Sequence, residues 1–587
     1  MELLVMSALG ADRLRCFSPP LEEGVMRRSV LTAVLALVIL AVPALPVFAQ
    51  TPPPAPKVTI TGLFDQLTTA GRNVYDGNFS RDNDREWYAR VRFRPDFEFA
   101  VGRTKAVLGI ELDFNYGQTG SNDGGFPGNN SGQACGFAGG CKGGGAAGGG
   151  LDINTDVAGL FEVKWIYTEF DLTGKDSLMP FIPFLTVARA GGQPFGTIAN
   201  YKVFYANGDF AGLDLYSTFT PDIKNHLAYV VVEDQLAGGN RSTETTRTNR
   251  GEDYAFILSP EFTPFKGLDL KPMFSWYHVD GLANGSSRRN ATNIRTIGGA
   301  MNGAAGVGGG APAGDAANHE DRYTVALDAR WRVGAFGLDP TIGLQFGNYD
   351  TQAQRTNGTV GKVNGDTAAW LFDVIGSYQL GPLLLEMRGM YTSGNKARDN
   401  LSQGKHYWEP LDLDTGYWSG WSGILGLGVD YFNGGGGANQ GTDTGIGYDR
   451  YGRAQVAFRA TYSITPALSV YGVVSPAWTA HKVDTDTGCP ALTVASSAAG
   501  CANRVAVAGT TTSAQRVSFV EGDSSYLGTE INGGFTWRFA PNTAFDLAGY
   551  YLFAGSALDM SESLNGAVVK RDARDGYYAT ARVRLSF

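Results

Sequence analysis

The residues with chemistry to offer are concentrated in one short stretch. From Glu86 the chain reads EWYARVRFRPDFEFA, and Arg90, Arg92, Arg94, Asp96 and Glu98 occupy alternate positions. In an extended strand successive side chains point to opposite faces, so these five charges share one face. Val91, Phe93, Phe97 and Phe99 take the other. A guanidinium does not deprotonate in proteins, so a row of arginines holds a fixed field and cannot trade protons. Charges of matching parity recur at Glu111 and Asp113, at Asp328, Arg330 and Arg332, and at Glu386 and Arg388. Further along come Arg459, Glu530 and Arg538, and finally Arg582 and Arg584. Strands apolar on one face and charged on the other suit a wall between lipid and water. The charged set is expected to line the wet side, where mixed signs create a transverse field that selects by charge and dipole. The competing reading is that these are solvated wall residues that pair with one another.

Other chemistries are thinly supported. The five histidines, His226, His278, His319, His406 and His481, are scattered, and neither a G-x-S-x-G elbow nor an H-E-x-x-H helix occurs. No catalytic residues are assigned and the chain is read as a non-enzyme with no cofactor. A net charge of −9 lacks the basic footprint of a nucleic-acid binder. The acidic runs at 412–416, 443–445 and 484–488 lack a full calcium-ligand set and read as turns.

The elements that position the charges must be strands. Glycine is abundant, 80 residues where average usage of roughly 7% gives about 41. Residues 26–49, MRRSVLTAVLALVILAVPALPVFA, have the charged start, apolar core and small-residue end of a secretory signal peptide. Residues 1–25 read as an over-extended N-terminus, 50–56 as a Pro-rich spacer and 57–587 as one barrel domain. Beyond the leader no apolar run reaches the ~18 residues of a spanning helix. Cys135 and Cys141, and Cys489 and Cys501, are closely spaced pairs in Gly/Ala-rich loops of an exported chain. They predict two loop disulfides. Because no histidine clusters with either pair, no metal site is assigned.

Nineteen segments alternate in strand fashion, ending with YYATARVRLSF at 577–587. Tight turns such as GRT, LGP and APNT alternate with long loops, as in a transmembrane antiparallel β-barrel with short periplasmic turns and long extracellular loops. Nineteen is odd, and a single-chain bacterial barrel should be even. The parity fails between 395 and 434: either KHYWEPLDL (405–413) adds a short strand, making twenty, or one of the nineteen segments, among which GWSGILGLGVDYF (420–432) is counted, is not a strand, making eighteen. Eighteen strands are expected, within a range of sixteen to twenty. A closed sheet of that size has a lumen too wide for wall side chains to fill. Trp165, Trp331, Phe458, Tyr462, Trp537 and Tyr577 are among the positions expected to face lipid.

The stretches 84–98, DREWYARVRFRPDFE, and 187–213, VARAGGQPFGTIANYKVFYANGDFAGL, resemble bacterial outer-membrane porins of the homotrimeric general type. The resemblance implies a bacterial outer-membrane location, a homotrimer embedded in outer-membrane lipid, and passive diffusion of small hydrophilic solutes and ions through a water-filled channel. It implies that residues 194–209 fold inward as a constriction carrying Lys202 and Asp209, although the family's constriction is often richer in acid. It also implies that the closing strand with its terminal Phe587 is an assembly signal read by the barrel assembly machinery. The alternative is a substrate-selective channel for a sugar, a carboxylate or an exported polysaccharide.

Overall fold

The computed structural model describes residues 54–74, 79–80, 85–116, 161–195, 202, 204–206, 209–234, 252–280, 317–354, 360–396, 404–411, 418, 420–425, 451–483, 485, 504–506, 518–520, 522–564 and 567–587. The leader at 26–49 and all four paired cysteines lie outside them.

Alternating apolar and polar side chains produce strands throughout. They are β1 (Lys57–Arg72), β2 (Arg85–Val101), β3 (Thr104–Tyr116), β4 (Phe161–Thr173), β5 (Leu185–Pro194), β6 (Asp209–Thr220), β7 (Ile223–Asp234), β8 (Glu252–Phe265) and β9 (Leu268–Asp280). The series continues with β10 (Ala317–Val333), β11 (Phe336–Gln354), β12 (Val360–Leu380), β13 (Leu383–Thr392), β14 (Ala454–Thr465) and β15 (Leu468–Val483). Then follow β16 (Arg504–Ala506), β17 (Ser518–Val520), β18 (Ser524–Ala540), β19 (Thr543–Ala554), β20 (Met560–Leu564), β21 (Ala567–Arg571) and β22 (Gly576–Ser586). β16–β17 and β20–β21 are separate hairpins, and the other eighteen form one antiparallel sheet.

The sheet closes on itself. β22 pairs with β19 on one side and with β1 on the other, from Leu63↔Ser586 to Arg72↔Tyr577. The terminal residue continues the ladder: the Gly62 N–H donates to the Phe587 carbonyl at 2.9 Å and the Phe587 N–H to the Gly62 carbonyl at 3.1 Å. Closure leaves no unpaired sheet edge, the condition for a sheet to cross hydrocarbon. No described helix is long and apolar enough to cross a membrane.

Short turns gather at one end, together with the start of β1 and the end of β22. Two residues connect β2 to β3, β6 to β7, β8 to β9, β10 to β11, β12 to β13, β14 to β15 and β18 to β19. Gly102, Gly267, Gly334 and Gly381 supply the positive φ that such turns need, and Asn542 does so before β19. The polar stretch 350–366 is mostly a ladder between β11 and β12 that reaches Gln354↔Val360.

The outer face is apolar and exposed. Phe99, Trp331, Phe458, Tyr462, Trp537 and Tyr577 stand on it, as parity requires. Trp165 does not. Its indole N–H donates to Asp96 at 3.1 Å and its ring lies 5.2 Å from the Arg94 guanidinium, which places it among the inward charges. A register shift at Gly109/Ile110 accompanies this placement.

The parity problem resolves at the β13–β14 connection. Residues 420–425, the described part of the expected strand 420–432, are not in the ladder. Their backbone donors are engaged elsewhere: the N–H groups of Gly423, Ile424 and Leu425 all point at the Glu530 carboxylate. Segment 405–413 adds no strand either. Among its described residues, 405–411, only Lys405 forms a backbone bridge with the sheet, parallel to Thr367.

Candidate functional site in the barrel interior

The inward face of the wall is charged and paired. Arg92 and Arg94 both reach Glu111 across the β2–β3 ladder, each at 3.1 Å. Arg189 on β5 meets Glu169 on β4 at 2.8 Å, Arg459 on β14 meets Glu386 on β13 at 2.7 Å, and Arg584 on β22 meets Asp546 on β19 at 2.7 Å. Arg582 grips Asp65 of β1 through two nitrogens, at 2.7 and 2.6 Å, which adds an ion pair to the closing seam. The row read from the sequence is therefore a set of cross-strand pairs.

Two connections fold inward and pack on this wall. The first, between β5 and β6, carries Lys202, whose backbone N–H donates to Asp328 at 2.9 Å. Its ammonium donates to the Asp339 carbonyl at 2.7 Å and the Asp373 carboxylate at 3.2 Å. Burial holds that ammonium below the usual lysine range, against the opposing pull of Asp373 and Asp328. Phe195, Phe204 and Tyr205 on the same connection are fully buried, and the Tyr205 hydroxyl meets Ser275 on β9 at 2.7 Å. These partners lie on β9–β12, several strands from β5 and β6, so the segment reaches across the interior.

The second is the β13–β14 connection. The Trp408 ring packs tilted against that of Phe204 with centroids 5.9 Å apart, and the Leu411 N–H donates to the Tyr205 carbonyl at 2.8 Å, so the two segments hold each other. Glu409 accepts from Arg322 and from Lys405, and Lys405 also donates to Glu320 at 2.7 Å. Two acids and two bases thus form a buried, charge-balanced group. Further on, Trp418 lies 4.4 Å from the Arg388 guanidinium and Trp421 lies 4.2 Å from that of Arg459. Arg388 in turn holds Asp373 at 2.7 Å.

The segment then ends in an anion cradle. Glu530 Oε2 accepts from the Ser422 hydroxyl at 2.6 Å, the Ile424 N–H at 2.8 Å and the Leu425 N–H at 3.1 Å. Its Oε1 accepts from the Gly423 N–H at 2.5 Å and the Asn532 amide at 2.9 Å. Gly423 approaches Tyr550 and Tyr578 so closely that a Cβ there would overlap the Tyr550 ring and the Tyr578 hydroxyl. The inner-facing wall of β6–β15 thus carries a hydrophobic core made with the infolded segments.

Cover divides the ion pairs into two kinds. Beneath the infolded segments, Arg322, Arg388 and Lys271 are sealed. Elsewhere the arginine stands toward the lumen and its carboxylate lies behind it. Arg94 is 26% exposed against 2% for Glu111, and Arg582 18% against 1% for Asp65. Arg459, although Trp421 covers one face of it, follows the same order against Glu386, 25% against 11%. The open part of the lumen therefore meets guanidinium first.

Some expected wall residues take other places. Arg330, Arg332 and Arg538 are exposed near short turns, at the rim, where Arg332 pairs with Asp339. Glu98 pairs with Lys105 near the same end at 3.5 Å. The backbone puts Arg90 opposite Asn115, Arg92 opposite Asp113 and Asp209 opposite Pro194; the side chains of Arg90, Asp113 and Asp209 lie outside the described ones. Asp65, Glu169, Arg189 and Asp373 were missed. Asp65 and Asp373 share the parity of buried wall positions, a signal available in the sequence. The aromatic run Trp408, Trp418 and Trp421 in a connection otherwise rich in small and polar residues was a second.

No family model and no curated protein matches the sequence. Among solved structures, the chain is similar to the outer membrane protein OpdK from Pseudomonas aeruginosa at 10% identity and TM-score 0.38, over 90% of this chain and 99% of that one. It is similar to OccK8 (OprE) of the same species at 10% identity and TM-score 0.40, over 91% and 98%. A BenF-like porin from Pseudomonas fluorescens Pf-5 matches at 8% identity and TM-score 0.41, over 90% and 98%. The first of these is described as an outer membrane protein and the third as a porin. The likeness is one of architecture alone, and the chemistry of the barrel interior is read from its own residues.

Proposed function

We propose that the protein is a substrate-selective channel of the bacterial outer membrane that passes small hydrophilic solutes and favours those bearing a carboxylate. The wide general-diffusion pore expected first from the sequence is the weaker reading. One observation carries this: two connections pack into the lumen while the uncovered arginines of the wall stand in front of their carboxylates. Infolding narrows the passage, and a narrow, low-dielectric passage strengthens the field of each lining charge. A solute carboxylate moving past Arg94, Arg189 and Arg582 can exchange partners with carboxylates already held there, so its lost hydration is replaced stepwise. Phe587 as an assembly signal belongs to the same proposal.

Planar-bilayer recording of the refolded protein tests it. The expected result is a small conductance, a reversal potential on the anion side in a salt gradient, and block by small carboxylates. Arg94→Glu and Arg189→Glu should each move the reversal potential toward cations. Large steps arriving in threes, with no block by any small solute, would restore a trimeric general-diffusion pore and sink the selective one.

A further inference from the structure

Three metal-ligating side chains meet outside the lumen. On β9 and β10 the inward positions are the buried ones, Lys271 to Val279 and Glu320 to Asp328 in steps of two, so His278, His319 and Asp321 belong to the outer face. His278 is paired directly opposite Asp321 in the ladder, and His319 precedes Asp321 by two residues on the same face. The triangle follows from register alone, although 40 residues of sequence separate His278 from His319. His278 Nδ1 lies 2.8 Å from Asp321 Oδ1, and His319 Nε2 lies 3.2 Å from Asp321 Oδ2. The three ligand atoms all fall within 4.8 Å of one another. All three residues are partly exposed, at the end of the barrel where β9 and β10 leave for the 281–316 connection.

We propose that His278, His319 and Asp321 form a Zn2+ site on the outer rim of the barrel. Two imidazoles and a carboxylate are the donor set of open zinc sites, in which water completes the tetrahedron. Imidazole nitrogen selects Zn2+ over Mg2+ and Ca2+, which prefer all-oxygen shells. The Trp276 indole N–H donates to Asp321 Oδ1 at 2.8 Å, as an outer partner that fixes the carboxylate. The Tyr254 ring, 5.0 Å from that of His278, limits the imidazole's rotation on the other side. On binding, the metal takes the place of the imidazole–carboxylate hydrogen bonds, with each neutral ring carrying its proton on the nitrogen that faces away from the ion. The ion would tie the ends of β9 and β10 together where the ladder gives way to the connection.

The test uses the full untagged protein folded in detergent, stripped with chelator and titrated with Zn2+ by calorimetry, with Co2+ as a spectroscopic probe. The expected result is one Zn2+ per chain and the intense visible absorption of tetrahedral Co2+. His278→Asn and His319→Asn should each weaken binding by at least about tenfold, and Trp276→Phe by about tenfold. Single-channel conductance should be unchanged in all three, which shows that the barrel has formed. Absence of binding by the parent protein would overturn the site and leave the trio a hydrogen-bonded group only. Binding that survives both asparagine variants would overturn it too, by placing the ion elsewhere.

Discussion

Replacing Glu530 with glutamine should unlatch the β13–β14 segment while leaving the barrel closed. The carboxylate receives five hydrogen bonds, four of them from Ser422, Gly423, Ile424 and Leu425. An amide offers one oxygen. Turned toward Ser422, Ile424 and Leu425, it presents its NH2 to the Gly423 N–H, which then loses its acceptor in a buried site at a cost of about 1–3 kcal/mol. The three remaining bonds also fall from charge-assisted to neutral strength, about 0.5–1.5 kcal/mol each. The latch should weaken by about 3–7 kcal/mol in total, and at 1.4 kcal/mol per factor of ten the released form gains at least about a hundredfold in population. Released, the segment withdraws Trp418 and Trp421 from Arg388 and Arg459 and opens the passage they narrow. Single-channel recording should show frequent excursions to a larger conductance in Glu530→Gln that are rare in the parent. Ser422→Ala, which removes one donor and keeps the charge, should give a smaller effect in the same direction. If current histograms of parent and Glu530→Gln coincide in a correctly folded barrel, the carboxylate is not the latch.

Other consequences follow from the same packing. Tyr205→Phe removes the bond to Ser275 and should weaken the seat of the β5–β6 connection by about 1 kcal/mol, so that limited proteolysis within 195–208 speeds up several-fold; equal cleavage rates would count against it. Gly343→Ala places a methyl group within the Trp408 ring, and the displaced indole should change near-ultraviolet circular dichroism and raise conductance; spectra that superimpose on the parent's would show that Trp408 is not held there. Phe587→Ala keeps the backbone pair with Gly62 and loses the ring packed 6.1 Å from Phe93. It should cost about 0.5–1.5 kcal/mol in the refolded barrel yet sharply reduce the amount assembled in cells; undiminished assembly would remove Phe587 from the signal.

The wall was legible in the sequence because a strand's faces are set by a period of two, a local rule that survives tertiary context. Arg92, Arg94, Asp328, Arg388 and Arg582 needed only counting from neighbours to be placed inside. The infolded segments obey no such rule. GWSGILGLGVDYF has the alternation of a strand, yet its start, residues 420–425, is claimed by a carboxylate 105 to 108 positions away, at Glu530. Nothing local marks that competition. The aromatics Trp408, Trp418 and Trp421 do register it indirectly, since side chains of that size in a connection need something to bury them. Trp165 shows the converse case. An indole on a strand of this kind reads as a lipid-facing girdle residue, but its N–H and ring were required by Asp96 and Arg94 on the wet side. The same principle governs both errors: where a charge must be held in place in the lumen, the groups that hold it are taken from whichever segment can reach, and local pattern gives way. The charges themselves, fixed by parity, are therefore the surest guide to which loops turn inward.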